Sequence, residues 1–297
     1  MARLILHSDD FGLHSEVNRG ILEAARRGAL TSASVMTNGA AAEEAFEEAR
    51  RLPELGVGVH LNIVRGRPLC DPESVPSLVD GSGRFFNSVA TLLHKSLLGR
   101  LSLDEVHREY RQQVLRALEH GITPTHFDGE KHTHLLLPEA VSALRRLSAE
   151  FGIRKVRTIA EAPVLRALSA RGFPVPGSFT QRLKLQILEY RSRSARAAWS
   201  DLKTPDGFFG VLMSGQEDLA HGAEWLRALL GLESSMTVEW MFHLGHPFDL
   251  AEPAFQQEFG RFFLSEARTR ELEFLCSTEV AAELERRRAQ LISYREL

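Results

Sequence analysis

Short apolar runs alternate with segments of helical period from one end of the chain to the other. The runs Arg3–Ser8, Ala33–Thr37, Val57–Asn62, Pro124–Asp128, Lys155–Ile159, Phe208–Leu212, Val238–Phe242 and Leu272–Cys276 are expected as strands. Between them, several helices carry readable ends. Ser15 precedes Val17, Ile21, Leu22 and Ala25, and Gly28 offers a stop. Ser102 with Glu105 forms a capping box ahead of Val106, Tyr110, Val114 and Leu118, and Gly121 follows. Pro138 suits the first turn of a helix bearing Val141, Leu144 and Leu147, ended near Gly152. Ser214 and Glu217 repeat the capping-box pattern before Leu219, Trp225 and Leu229. Strand and helix in this rhythm predict a parallel sheet with helical crossovers. The expected fold is α/β, a deformed or incompletely closed (β/α) TIM-like barrel, with an open doubly wound sheet as the alternative.

Two segments interrupt the rhythm. Residues 63–101 are rich in Arg, Gly, Pro and Asp, and residues 162–206 carry a basic run through Arg191, Arg193 and Arg196. Stretches this long read as functional loops, and the basic run as a solvated helix face or a partner surface. With no linker or low-complexity stretch, residues 1–297 are expected to form one domain.

The net charge of −3 gives no reason to expect nucleic acid or an anionic membrane as a partner. No apolar run approaches the roughly 20 residues of a membrane span. The opening MARLILHSDDFG reads as a buried strand rather than a secretory leader, so a cytoplasmic protein is expected. Cys70 and Cys276 lack any ligand spacing and read as inert thiols in a reducing compartment.

Polar chemistry concentrates where apolar strands end. Asp9-Asp10-Phe11-Gly12 follows the first strand, and two adjacent carboxylates there are costly to bury without partners. Strand neighbours point to opposite sides, so the two acids are expected to serve different parts of a site. His60 ends a second apolar strand. The stretch Thr125–His134 packs His126, Asp128, His132 and His134 into ten residues, a density suited to metal ligation and to orientation of the ligands. Glu239–Asp249 adds His243 and His246 at the end of a late strand. Strand ends of a barrel converge on one mouth, so these clusters are expected to meet. His94, His107, His120 and His221 fall in helices or at their ends and read as solvated or packed.

With these residues assembled, the chain resembles the YdjC/ChbG-like carbohydrate deacetylases. The resemblance rests on Asp9-Asp10-Phe11-Gly12, Leu30 to Met36, Gly58-Val59-His60-Leu61, Thr125-His126-Phe127-Asp128 with His132 and His134, and Glu239-x-Met241-x-His243-x-Gly245. It implies a deformed (β/α) barrel and hydrolysis of the acetamide of an N-acetylated sugar with one divalent metal. Carried onto this sequence, the metal ligands are Asp10, His60 and His126, and Asp9 is the general base. The chain departs from the family in reading His243-Leu244-Gly245-His246-Pro247 where relatives often have His-Pro-Gly. His243 is favoured by position as the acid that protonates the leaving amine, with His246 as the alternative. The chain also has Gly129-Glu130-Lys131 where relatives carry more His. Asp128, His132, His134 and His246 are expected to bind substrate or orient ligands.

The expected function is therefore metal-dependent removal of an acetyl group from an N-acetylated sugar, with magnesium or zinc as the ion and a homodimer as a permitted assembly. Three rivals are a metal-dependent phosphoesterase on a barrel, a non-haem iron site built on His126 and Asp128, and a non-catalytic sugar-binding protein.

Overall fold

The computed structural model describes residues 2–27, 29–173, 175–215, 219–247 and 266–297. Its strands are β1 (Arg3–Phe11), β2 (Ser32–Val35), β3 (Gly56–Leu61), β4 (Phe127–Gly129), β5 (Gly207–Phe209), β6 (Thr237–Phe242) and β7 (Gln290–Leu291). From edge to edge the sheet runs β4-β3-β2-β1-β6-β5, with β7 set beside β1 and every pairing parallel. The central strands are buried along nearly their whole length, including polar members such as Ser32 and Ser34 of β2 and Glu239 of β6.

Helices on the outside supply the crossovers: α1 (Ser15–Arg26), α2 (Ala42–Arg51), α3 (Val89–Leu97), α4 (Leu103–Glu119), α5 (Thr133–Leu136), α6 (Pro138–Phe151), α7 (Ala162–Ala170), α8 (Phe179–Ala198), α9 (Gly222–Leu230), α10 (Ala267–Leu275) and α11 (Thr278–Arg286). Their ends follow local chemistry. Ser102 accepts from the Glu105 amide ahead of α4, and Gly152 closes α6 with φ 70°, a left-handed conformation open to glycine. The helix expected after Ser214 starts at Gly222 instead, and Glu217 lies outside the described residues.

The expectation of an incompletely closed barrel agrees with this sheet. The run Lys155–Ile159, expected as a strand, lies with Ala160 between the two edges and touches both. Phe127 pairs with Val156 in a single parallel bridge, and the Phe208 amide donates to the Ala160 carbonyl at 2.9 Å. The seam is therefore held by isolated bonds rather than a ladder.

Three expectations fail on particular residues. Leu272–Cys276 falls in and just after α10 instead of forming a strand. Arg268, Glu271, Leu272 and Leu275 share its buried face, and the two charged residues hide the helical period. The segment 162–206 holds two helices rather than a loop. α8 opens on a capping box in which Ser178 and Gln181 exchange bonds. β7 is two residues long, too short to show in a periodicity.

Glycine at position 58 has a packing reason. A methyl group there would stand 2.4 Å from the His126 ring. We expect Gly58→Ala to destabilise the fold by about 1–3 kcal/mol, read as a lower urea midpoint, because β3 and β4 must part to admit the extra carbon.

Candidate functional site

The site begins with an irregularity in β1. Between Ser8 and Phe11 the register against β2 slips, and Asp10 adopts φ 71°. Such a bulge re-aims side chains. Both Asp9 and Asp10 line one cavity of about 750 Å³, together with His60, Glu130, His132 and His243. The two acids still serve different parts of it, since Asp9 meets Arg157 and Asp10 meets Arg268.

His60 is held from behind. Its Nδ1 lies 2.9 Å from Asp128 Oδ1 and 3.1 Å from Ser34 Oγ. That anchoring turns Nε2 toward the acids of the cavity, 3.3 Å from Glu130 Oε2 and 4.0 Å from Asp10 Oδ1. Burial opposes a charge on this imidazole, but the Asp128 carboxylate and the bonds from Asp128 and Glu130 outweigh it and hold its pKa well above the ordinary value.

One donor atom each from Asp10, His60 and Glu130 lies within 4.8 Å of the others, close enough to share an ion. Of the three ligands that the resemblance implies, Asp10 and His60 are thus brought together, and His126 lies elsewhere. Both His126 nitrogens are engaged, Nε2 with His7 Nε2 at 3.0 Å and Nδ1 with Thr125 Oγ1 at 2.9 Å. Its ring stacks on Tyr294 at 3.7 Å. His7 Nδ1 in turn lies 2.8 Å from Arg157 and 3.2 Å from Asp9 Oδ1. Burial first, and then His7, push the His126 pKa well below its usual value.

Arg157 is the hub behind these groups. Fully buried, it bonds Asp9 through two nitrogens at 2.7 and 2.8 Å, Glu239 at 2.6 and 2.9 Å, and lies 3.0 Å from Asp128. Burial alone would raise the pKa values of Asp9 and Asp128, but Arg157 reverses that and keeps both below the usual carboxylate range. Arg65 does the same for Glu130 from 2.7 Å. The Tyr294 hydroxyl donates to the second Glu239 oxygen at 2.5 Å.

The remaining expected residues separate by position. His243 faces the cavity, and its backbone amide donates to Glu271 at 2.5 Å. Burial lowers its pKa to about 4. His246 turns to α1, where Nε2 lies 3.0 Å from Glu23. His132 lines the cavity in a left-handed conformation, φ 58°, with its ring edge-on to Phe208. His134 sits behind it, with Nε2 at 3.1 Å from the Arg157 carbonyl, and burial lowers its pKa to about 4.

Sequence reasoning passed over His7, Arg65, Arg157, Arg268, Glu271 and Tyr294. The one signal for Arg157 was its place between Val156 and Ile159 in the run Lys155–Ile159, expected as a strand.

A model of the YdjC-like protein family matches residues 3–286. A mouse carbohydrate deacetylase is 32% identical over 253 residues, covering 82% of this chain and 78% of its own. A Geobacillus stearothermophilus carbohydrate deacetylase is 41% identical over 156 residues, 52% of this chain and 60% of the relative. A Serratia marcescens chitooligosaccharide deacetylase is 37% identical over 133 residues, 44% and 50% of the two chains. This chain therefore spans only about half to three-fifths of those bacterial relatives. A crystal structure from Enterococcus faecalis V583, assigned only provisionally to cellobiose-phosphate cleavage, superposes with a TM-score of 0.74 at 24% identity. It covers 99% of this chain and 98% of its own, and shows the shared fold. The chain belongs to the YdjC-like protein family.

Removing the Arg157 charge leaves three carboxylates without their shared cation. We expect Arg157→Met to cost about 3–5 kcal/mol of stability, the range for breaking a buried ion pair. The pH dependence carries the same signature. Asp9 and Asp128 have folded pKa values below their unfolded ones, so their contribution is present above roughly pH 4 and is lost as the pH falls further. Denaturation midpoints followed from neutral to acid pH should fall steeply in the native chain and more gently in R157M.

Proposed function

We propose that this chain is a metal-dependent hydrolase that removes an acetyl group from an N-acetylated sugar. The observation that carries the reading is the meeting of Asp10 Oδ1, His60 Nε2 and Glu130 Oε2 on the wall of the cavity. The named relatives are carbohydrate deacetylases, and an amide needs an activated electrophile of the kind such a site provides.

The donor set fits a divalent ion. Two carboxylate oxygens and one imidazole nitrogen carry enough negative charge to compensate it, and the Asp128 anchor presets the His60 tautomer. Glu130 takes the third place that the resemblance gives to His126. Oxygen-rich ligation suits magnesium or manganese as well as zinc. When bound, the ion supplies Lewis acidity toward the acetyl oxygen and a water more easily deprotonated.

The chain's own groups move the protons. Asp9 is kept ionised by Arg157 at the cavity wall and accepts a proton from the attacking water. His243 stands unprotonated near neutral pH. It can therefore take up that proton as the tetrahedral carbon forms and pass it to the departing amine. The balance is one water consumed, one carbon–nitrogen bond broken, and acetate and a free amino sugar formed. His132 and Lys131 also line the cavity, where the sugar would meet them.

Acetate release from N-acetylglucosamine oligosaccharides, compared with phosphate release from sugar phosphates, tests the reaction. We expect acetate alone, lost on chelation and restored by added divalent ion. The metal content of variants tests the ligand set. His60→Ala and Glu130→Gln should each weaken binding by about 10–100-fold, while His126→Ala should keep the ion and lose stability. The reverse order would return His126 to the site.

A further inference from the structure

Helix α8 carries an exposed apolar stripe. Phe179, Leu183, Ile187 and Tyr190 are 82%, 50%, 51% and 62% exposed. At about 100° per residue they fall on one face within a single narrow sector. The opposite face, through Leu185, Leu188, Ser192 and Ala195, packs inward and satisfies the helix's need for a core contact. Isolated exposed hydrophobes are ordinary, but four in register along 12 consecutive residues of one helix are not.

The charges around the stripe have a pattern of their own. The same helical geometry puts Lys184 and Arg191 along one border and Arg182 and Arg193 along the other. Lys184 reaches the cavity rim, Arg191 is half-buried, Arg182 is exposed while donating to the Val175 and Gly177 carbonyls, and Arg193 is exposed. The helix has one acid, Glu189, and its carboxylate is turned inward to accept from the Ala162 amide at 2.8 Å. Arg196 also turns inward, to Thr158 and Pro205. An apolar ridge bordered by cations thus projects from a chain whose net charge is −3. Long basic side chains can lay their stems along an apolar surface while their heads stay with anions.

We infer that α8 docks the protein on an anionic phospholipid surface, with Phe179, Leu183, Ile187 and Tyr190 set among the acyl chains and the flanking cations against the headgroups. An apolar face bordered by Lys and Arg is the pattern of helices that lie in the interfacial plane. The helix cannot span a bilayer, since no described helix is long and apolar enough. The stripe is continuous with the cavity, because Leu183 and Ile187 also line it. Docking therefore brings the cavity mouth to the headgroup layer.

Sedimentation with extruded vesicles of phosphatidylcholine, alone or mixed with phosphatidylglycerol, reads the interaction on the whole chain. We expect at least about tenfold tighter partitioning onto the phosphatidylglycerol vesicles, relieved by salt. The pair Phe179→Ser and Ile187→Ser should lower it about tenfold. Arg182→Gln with Arg193→Gln should reduce the preference for anionic lipid. In an otherwise native chain, Tyr190→Trp should shift its emission to the blue on vesicle addition. Equal sedimentation with both lipids, partitioning unchanged by the serine pair, or no emission shift would each overturn the inference. So would a dimer formed through this stripe that leaves vesicles unbound in centrifugation.

Discussion

One buried guanidinium sets the terms for the rest of the site. Arg157 has no water to share its charge, and the chain surrounds it with Asp9, Asp128 and Glu239. Taking ions out of water costs several kcal/mol each, so such a cluster is tolerable only when every member is paired. Each acid in turn performs a second task. Asp9 faces the cavity, Asp128 turns the His60 ring, and Glu239 receives the Tyr294 hydroxyl. For Asp9 and Asp128, position and charge state are thus fixed by one interaction.

The arrangement is layered. Nearest the cavity stand Asp10, His60 and Glu130, behind them Asp128 and Ser34, and behind those the Arg157, His7 and His126 set. Arg65 and Arg268 close the ring of charge by meeting Glu130 and Asp10. These arginines hold Glu130 Oε1 and Asp10 Oδ2, which leaves Glu130 Oε2 and Asp10 Oδ1 on the side of His60 Nε2. The proton on His60, favoured by its acidic neighbours, would have to leave for Nε2 to ligate.

Much of this was legible in the sequence, and the illegible parts share a cause. The strands β1, β3 and β6 hold short apolar runs that end beside polar clusters, so both their existence and their relation to the site could be read. Asp9, Asp10, His60 and His243 stand at those ends and meet around one cavity. Arg157, Arg268, Glu239 and Glu271 were harder because burial is normally inferred from apolarity, and these four are buried although their side chains are ionisable. That is also why α10 reads as a strand. The distinction between Glu130 and His126 depended on which ring was already satisfied, a matter of tautomers and distances that spacing does not encode. Asp10 needed the β1 bulge, and one inserted residue in a ladder has no signature in composition.

The contact between Tyr294 and the core bears on how the protein comes into being. Its amide donates to Ser32 across 262 residues, while its hydroxyl reaches Glu239 and its ring covers His126. During synthesis, β1 emerges long before β6, Arg157 or Tyr294 exists to receive it. The acidic end of that strand must wait in water, and the cluster becomes affordable only when distant segments arrive together. Maturation of the site is thereby tied to completion of the fold, so a chain halted before Tyr294 would emerge with its histidine pair uncapped.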